Sequence, residues 1–177
     1  AQNMLFPRMY SSQPSHVNAY KTWANVKGTP VTYDYCGQQK TDIKPTFGEN
    51  LRFFFDYQLR FMYWRYFFWN FSGRQNDIQG HGEIDRGNWI SGIDFVDELH
   101  LGKGTQTNLT DDAKNNKGRN VYFFLPFIIG LIGLMYHAQR DIKSFYVLLV
   151  LFLFTSIALK IFLNERPFEP RERDYAM

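Results

Sequence analysis

Residues 45–92 read PTFGENLRFFFDYQLRFMYWRYFFWNFSGRQNDIQGHGEIDRGNWISG, and this stretch decides the fold. Its first half, residues 51–71, holds twelve aromatic side chains among twenty-one residues, together with three arginines and one aspartate. Aromatic rings at this density are typical of the membrane–water interface, where the apolar ring and its polar edge both find suitable surroundings. The pattern predicts a mainly α membrane protein with an aromatic interfacial helix over residues 47–72.

Local signals mark both ends of this helix. Thr46 and Glu49 have the spacing of a capping box, in which each side chain accepts a hydrogen bond from the other residue's backbone N–H. Ser72 and Gly73 are expected to end the helix. Between them lie about 24 residues, roughly 36 Å at 1.5 Å per residue, which is long enough to cross a bilayer.

Charge argues against this helix crossing the bilayer alone. Three arginines and one aspartate near the bilayer centre would cost roughly 10 kcal/mol. Arg52, Asp56 and Arg60 are four residues apart and predict one salt-bridged stripe, whereas Arg65 lies off the stripe and needs another partner. We expect a tilted or in-plane helix packed against other membrane helices. A phosphate-binding role for Arg60 or Arg65 is the alternative.

Residues 73–120 are polar and rich in glycine, and they predict an irregular loop. The glycines would expose backbone amides to an anionic or sugar-like ligand, and the plainer interpretation is a cap over a helix end. The charged or titratable side chains of this loop include Arg74, Asp77, His81 and Glu83. One histidine with scattered carboxylates matches no metal signature, so we expect neither a metal nor a cofactor.

Residues 1–46 predict a small helix and strand unit. Ser15 can cap a helix over residues 16–27 that stops at Gly28, and residues 29–35 alternate enough for a short strand. We expect residues 36–45 to form a polar turn or loop. His16 is expected to be a solvated residue of the first helical turn.

Two apolar stretches follow the loop. Residues 121–139 carry no formal charge, and residues 144–163 carry only Lys160. Each stretch is close to the roughly 20 residues that cross a 30 Å hydrocarbon layer. Because only residues 140–143 join them, they predict a transmembrane helical hairpin over residues 121–163, followed by a charged segment. A hairpin buried in a soluble protein is the alternative, and Lys and Arg flank both stretches, so charge favours neither orientation.

Composition narrows the function classes. The net charge of +3 is mildly basic and the basic residues alternate with acidic ones, so we expect no nucleic-acid partner. Cys36 is the only cysteine, which excludes an internal disulfide and a cysteine metal cluster. Residues 1–10 lack the pattern of a signal peptide.

Seven longer motifs are spread over nearly the whole chain. They are PRMY at 7–10, FGENLRF at 47–53, FMYWRY at 61–66, WNF at 69–71, GRQNDIQGHGE at 73–83, GNWISG at 87–92 and PRERDY at 170–175. Together they resemble a family of large Gram-negative multi-pass membrane proteins of mostly unknown function. That family is similar to the protein O-mannosyltransferases of the GT-C superfamily.

The resemblance implies a middle segment of a longer protein of the inner membrane. Residues 1–120 would be extracytoplasmic, in the periplasm, and residues 140–143 would form a cytoplasmic turn. The catalytic acid of such enzymes lies in an earlier loop, and no residue here matches it.

The resemblance therefore implies supporting roles only, in binding the donor or the acceptor. The side chains to which it assigns them are Arg65, Arg74, Asp77, His81, Glu83, Arg171 and Arg173. The expected function is that of a membrane glycosyltransferase segment that uses a lipid-phosphate-linked sugar. Its partners would be membrane lipids and the remaining helices of a longer chain or of partner membrane proteins. The alternative is a non-catalytic membrane subunit that docks a partner protein through the aromatic helix and the polar loop.

Overall fold

The computed structural model describes residues 8–168, and these are mainly helical, as predicted. They divide into two compact units. The first unit contains residues 8–62 and 154–168, and the second contains residues 63–153. Arg171 and Arg173, two of the predicted binding residues, lie outside the described residues.

The first unit opens with helix α1, Pro14–Ala24, and a two-stranded antiparallel sheet of β1, Thr29–Tyr35, and β2, Gln38–Lys44. The predicted cap at Ser15 is wrong, because Gln13 is the N-cap and Pro14 takes the first helical position, where its missing N–H costs nothing. The second strand was not predicted.

A two-residue turn reverses the chain between β1 and β2. Cys36 and Gly37 both have positive φ, 55° and 81°, which is the backbone of a type I′ hairpin turn. This turn twists in the same sense as the strands, so residues 38–44 pair with β1 instead of forming the expected loop.

The long central helix runs from Phe47 to Phe71 in three parts: α2, Phe47–Phe53; a π-helical part, Phe54–Trp64; and α3, Arg65–Phe71. Its predicted start is confirmed, because Thr46 and Glu49 form the complete capping box. Its predicted end is confirmed as well, with Ser72 as the C-cap.

The structure shows part of the expected charge stripe. Asp56 and Arg60 pair at 3.8 Å on the exposed face of the central helix.

The core of the first unit is mostly aromatic. Phe53, Tyr57 and Phe61 of the central helix are buried and stack along one face. Tyr20 packs edge-on against Phe53, and Trp23 contacts Tyr57 and Phe61. Four of the twelve rings that suggested a membrane interface, these three and Phe54, are thus buried inside the protein.

Two polar side chains of the first unit have close polar partners. His16 is 8% exposed and its Nδ1 lies 2.8 Å from the Ser11 hydroxyl, so the prediction of a solvated histidine is wrong. Lys160 pairs at 2.6 Å with Glu165, which is itself buried.

The second unit holds the polar loop. Two short strands, β3, Gly73–Arg74, and β4, Asn120–Val121, pair antiparallel and close the long segment between them. That segment contains α4, Asp94–Leu101, and α5, Asp111–Lys114.

Two apolar helices follow: α6, Leu125–Arg140, and α7, Ile142–Leu153, which continues through a π-helical part, Phe154–Ala158, into α8, Leu159–Leu163. Among the described residues one helix, Ile142–Leu163, is long and apolar enough to cross a membrane. The first predicted span begins later than expected, because Val121 pairs with Gly73 and the helix starts only at Leu125.

The joint between the two helices is shorter than the predicted turn of residues 140–143. The helical runs are interrupted at Asp141, which has an extended backbone. The Asp141 carboxylate accepts hydrogen bonds from the backbone N–H groups of Lys143 and Ser144, at 3.1 and 3.2 Å. These bonds cap the second helix where its first N–H groups have no helical partner.

Candidate functional site

The polar loop of the second unit is built on buried amide side chains. Gln75 and Asn76 are each 1% exposed, and Asn88 is 9% exposed. Their side-chain NH2 groups donate to three consecutive carbonyl oxygens: Asn88 to Glu83 at 2.8 Å, Gln75 to Ile84 at 2.9 Å and Asn76 to Asp85 at 2.7 Å. Side-chain hydrogen bonds therefore hold the tip of the loop. They take the place of the backbone hydrogen bonds that would hold a β-sheet.

The amide oxygens hold the returning chain. Asn76 Oδ1 accepts from the backbone N–H of Gly87 at 2.8 Å and from that of Ile78 at 3.2 Å. Gln75 Oε1 accepts from the Asn88 backbone N–H at 3.3 Å. Gly87 has a φ of 57°, and a Cβ there would lie 2.5 Å from the Ile78 carbonyl oxygen, so this turn requires glycine.

Arg65 lies beneath this loop. It is 7% exposed, and its Nη1 donates to the Gly87 carbonyl oxygen. The expectation that Arg65 needs a partner away from the charge stripe is therefore confirmed. Its position gives it a clear role in holding the loop, and contact with a substrate remains a prediction.

Arg74 lies at the edge of the loop, in β3. Its guanidinium carbon is 4.5 Å from the centre of the Trp69 ring, a cation–π geometry. The Arg74 backbone N–H donates to Asn120 Oδ1 at 3.0 Å. Arg74 Nε and Trp69 Nε1 are both shielded from water, and neither has a hydrogen-bond partner among the described residues. A buried donor without an acceptor costs about 1–3 kcal/mol, so each of these two donors is destabilising.

The other predicted residues lie on the exposed surface of the loop. The backbone N–H of His81 donates to Glu83 Oε2 at 2.6 Å, and this bond is the largest of several causes that hold the pKa of Glu83 below its usual value. Asp77 accepts from Asn116 Nδ2 at 3.1 Å. The structure thus brings His81 and Glu83 together, whereas Arg65, Arg74 and Asp77 each have a described contact outside the predicted set.

Sequence reasoning missed a second aromatic contact beside this loop. The His100 ring stacks on Trp89 with 3.9 Å between ring centres and 5° between planes. Trp89 pairs with Arg74 through an isolated antiparallel bridge. The GNW motif at 87–89 marks Trp89, but nothing local in the sequence indicates that His100 folds back onto it.

A cleft of about 320 Å³ opens next to the tip of the loop. Asp85 and Lys103 supply its charged groups, and Thr105 and Asn108 supply a hydroxyl and an amide. Within residues 8–168, no three His, Cys, Asp or Glu side chains are grouped so that they could hold a metal ion.

Comparison with known proteins adds one match. A family of unknown function, DUF8416, matches residues 1–55, less than a third of the chain. That region contains α1, the β-hairpin and α2, and it ends before the polar loop. No curated protein matches the chain, and no solved structure matches it.

Proposed function

We propose that this chain is a segment of a membrane glycosyltransferase that uses a lipid-phosphate-linked sugar. The segment would bind the donor or the acceptor, and the catalytic acid would come from elsewhere in a longer protein. The resemblance of its motifs supports the reaction class, and the polar loop beside apolar helices is a suitable place for a lipid headgroup.

The observation that carries the proposal is the arrangement of Arg74 on Trp69. The contact with the Trp69 ring holds the Arg74 guanidinium in place, where it can bind an anion. Because Arg74 Nε is shielded from water, a phosphate would approach the terminal Nη groups of this half-buried side chain. Arginine binds phosphate through two parallel hydrogen bonds, a geometry that lysine cannot reproduce.

The helices after the loop supply the membrane attachment in this proposal. Ile142–Leu163 would cross the bilayer, and α6 would form the other arm of a hairpin. None of the side chains of α6 or α7 is buried, so both helices present apolar surface that lipid would cover.

The test is the Arg74→Lys variant of the complete protein. Loss of the two-bond contact should reduce sugar transfer from a polyprenyl-phosphate-linked donor by about tenfold. The matched control is Arg86→Lys, an exposed arginine of the same loop, which should keep normal transfer. Normal transfer by Arg74→Lys, with both variants equally expressed and inserted, would refute the proposal.

A second candidate function is the docking of a partner protein by a non-catalytic membrane subunit. The observation in its favour is the exposed apolar face of α4, where Phe95 and Leu99 are 75% and 78% exposed and lie one turn apart. Docking predicts that Phe95→Ser with Leu99→Ser abolishes function while Arg74→Lys does not. The glycosyltransferase proposal predicts the opposite order.

A further inference from the structure

The β-hairpin of the first unit leaves both of its strands at an edge. All fourteen residues of β1 and β2 are exposed. Two-stranded hairpins are marginally stable in water, and they gain stability when further strands extend the sheet. The hairpin therefore presents an unpaired surface that is independent of the polar loop.

The type I′ turn determines which backbone groups face outward. In such a hairpin the residues that flank the turn, Tyr35 and Gln38, exchange both hydrogen bonds, and bonded and non-bonded pairs then alternate. On β2, the N–H and C=O groups of Gln39, Thr41 and Ile43 consequently point away from β1.

The two outer edges differ in their ability to pair. On β1 the outward positions are Asp34, Thr32 and Pro30, and proline has no N–H to donate. Proline on an edge strand is a common device against further pairing. β2 contains no proline, so its edge offers a complete row of donors and acceptors.

The sequence of β2 is complementary to itself when two copies run antiparallel about Thr41. Gln39 would then lie opposite Ile43 of the second copy, and Thr41 opposite the second copy's Thr41, each pair exchanging two backbone bonds. Between them Lys40 would lie opposite Asp42 of the second copy, and by symmetry this pair occurs twice. Opposite charges in directly facing positions stabilise a strand pair.

Neighbouring registers do not place opposite charges across from each other. A register centred on Lys40 places that lysine opposite itself in the second copy. A register centred on Asp42 places that aspartate opposite itself and Lys40 opposite Lys44. Like charges that face each other destabilise a strand pair, so charge selects the Thr41 register.

Neighbouring side chains also hold the two charges in place. Lys40 Nζ lies 5.5 Å from the centre of the Tyr35 ring, and Asp42 Oδ2 accepts a hydrogen bond from the Tyr33 hydroxyl. We propose that two copies of this chain associate through the β2 edge, forming a four-stranded antiparallel sheet with two-fold symmetry. This proposal does not depend on the proposed glycosyltransferase function.

The only cysteine allows the distance between the two copies to be measured directly. Cys36 is exposed at the hairpin turn, so a spin label can be attached to the native chain. In the antiparallel sheet the two turns point in opposite directions, which places the two labelled backbones about 30 Å apart at a rise of ~3.4 Å per residue. We expect a dipolar distance near that value and a dimer by light scattering of the full chain in detergent. A monomer at all concentrations would overturn the proposal.

Two matched variants test the edge itself. Thr41→Pro removes an outward N–H from β2 and should abolish the dipolar distance. Thr32→Pro removes the corresponding outward N–H from β1, directly across the hairpin, and should leave the distance unchanged. Retention of the distance in Thr41→Pro would overturn the proposal.

The charge pairs give a test that remains valid if both proline variants unfold the hairpin. Lys40→Glu places like charges opposite each other twice and should raise the dimer dissociation constant by about tenfold. Adding Asp42→Lys restores opposite charges and should restore the dimer. Failure of the double variant to dimerise, or no effect of Lys40→Glu, would overturn the proposal.

Discussion

At the scale of single residues, Glu49 ties three parts of the first unit together. One carboxylate oxygen accepts from the backbone N–H groups of Lys27 and Gly28, at 2.7 and 2.9 Å. The other accepts from the Thr46 backbone N–H at 2.7 Å and from its hydroxyl at 2.9 Å. The hydrogen bond from Gly28, with those from Thr46 and Lys27, lowers the pKa of Glu49 to about 2.

This lowered pKa gives a stability prediction with a defined sign. Because the folded-state pKa lies below the ordinary value of 4.5, the carboxylate stabilises the fold above pH 4.5 and loses that effect as the pH falls through about 2. Glu49→Gln should therefore destabilise the first unit at neutral pH, by about 1 kcal/mol after allowance for solvent screening. Hydrogen exchange of the Gly28 amide measures the loss.

The pH dependence separates this effect from a general loss of packing. The difference in Gly28 protection between the two proteins should shrink as the pH falls from 4.5 toward 2. A difference that stayed constant over this range would show that charge at position 49 is not responsible.

At the scale of elements, the polar loop depends on its buried amides more than on its short strands. Asn76 alone satisfies the N–H groups of Ile78 and Gly87 and the carbonyl of Asp85. Asn76→Ala would leave these groups without their acceptor or donor, at a cost of about 2–3 kcal/mol. We expect the Gly87 amide to exchange about a hundredfold faster. The neighbouring Asp77→Asn keeps an oxygen for Asn116 and should leave exchange at Gly87 unchanged.

The elements that the sequence predicts correctly are those that local signals define. The capping box and the helix end at Ser72 depend on residues within a few positions of each other. Strand β2 was missed because QQKTDIK has no apolar alternation and forms only through the turn at Cys36 and Gly37. The π-helical part, Phe54–Trp64, also has no signal in the spacing of the apolar residues.

In the candidate site, too, the sequence indicates contacts between nearby residues but not those between distant ones. His81 and Glu83 contact each other because they are two residues apart, and Arg74 reaches Trp69 across the end of the helix. The Gln75 and Asn76 side chains donate to carbonyl oxygens nine positions away, and no local pattern indicates which carbonyls they would reach. Burial of Arg65 under Gly87 likewise depends on a separation of 22 residues.

At the scale of the whole molecule, the main question is whether α6 crosses the bilayer. At 1.5 Å per residue its 16 residues extend about 24 Å, which is less than the ~30 Å of a typical hydrocarbon core. Local thinning of the bilayer accommodates a short helix at a modest cost. Phe123 and Phe124, just before the helix, add apolar length at the interface. Since none of the side chains of α6 is buried, we expect α6 to span the bilayer together with Ile142–Leu163.

Cysteine labelling of the two ends of α6 decides this point. In a Cys36→Ser background, Asn120→Cys and Lys143→Cys place single thiols before and after the helix. If α6 crosses the bilayer, a membrane-impermeant maleimide added to intact cells should label one of the two, and the other only after permeabilisation. Asn115→Cys is the matched control, and it should behave like Asn120→Cys because both precede the helix on the same side. Equal labelling of Asn120→Cys and Lys143→Cys in intact cells would place α6 along the surface, because a helix that lies in the interface exposes both of its ends to the same aqueous phase.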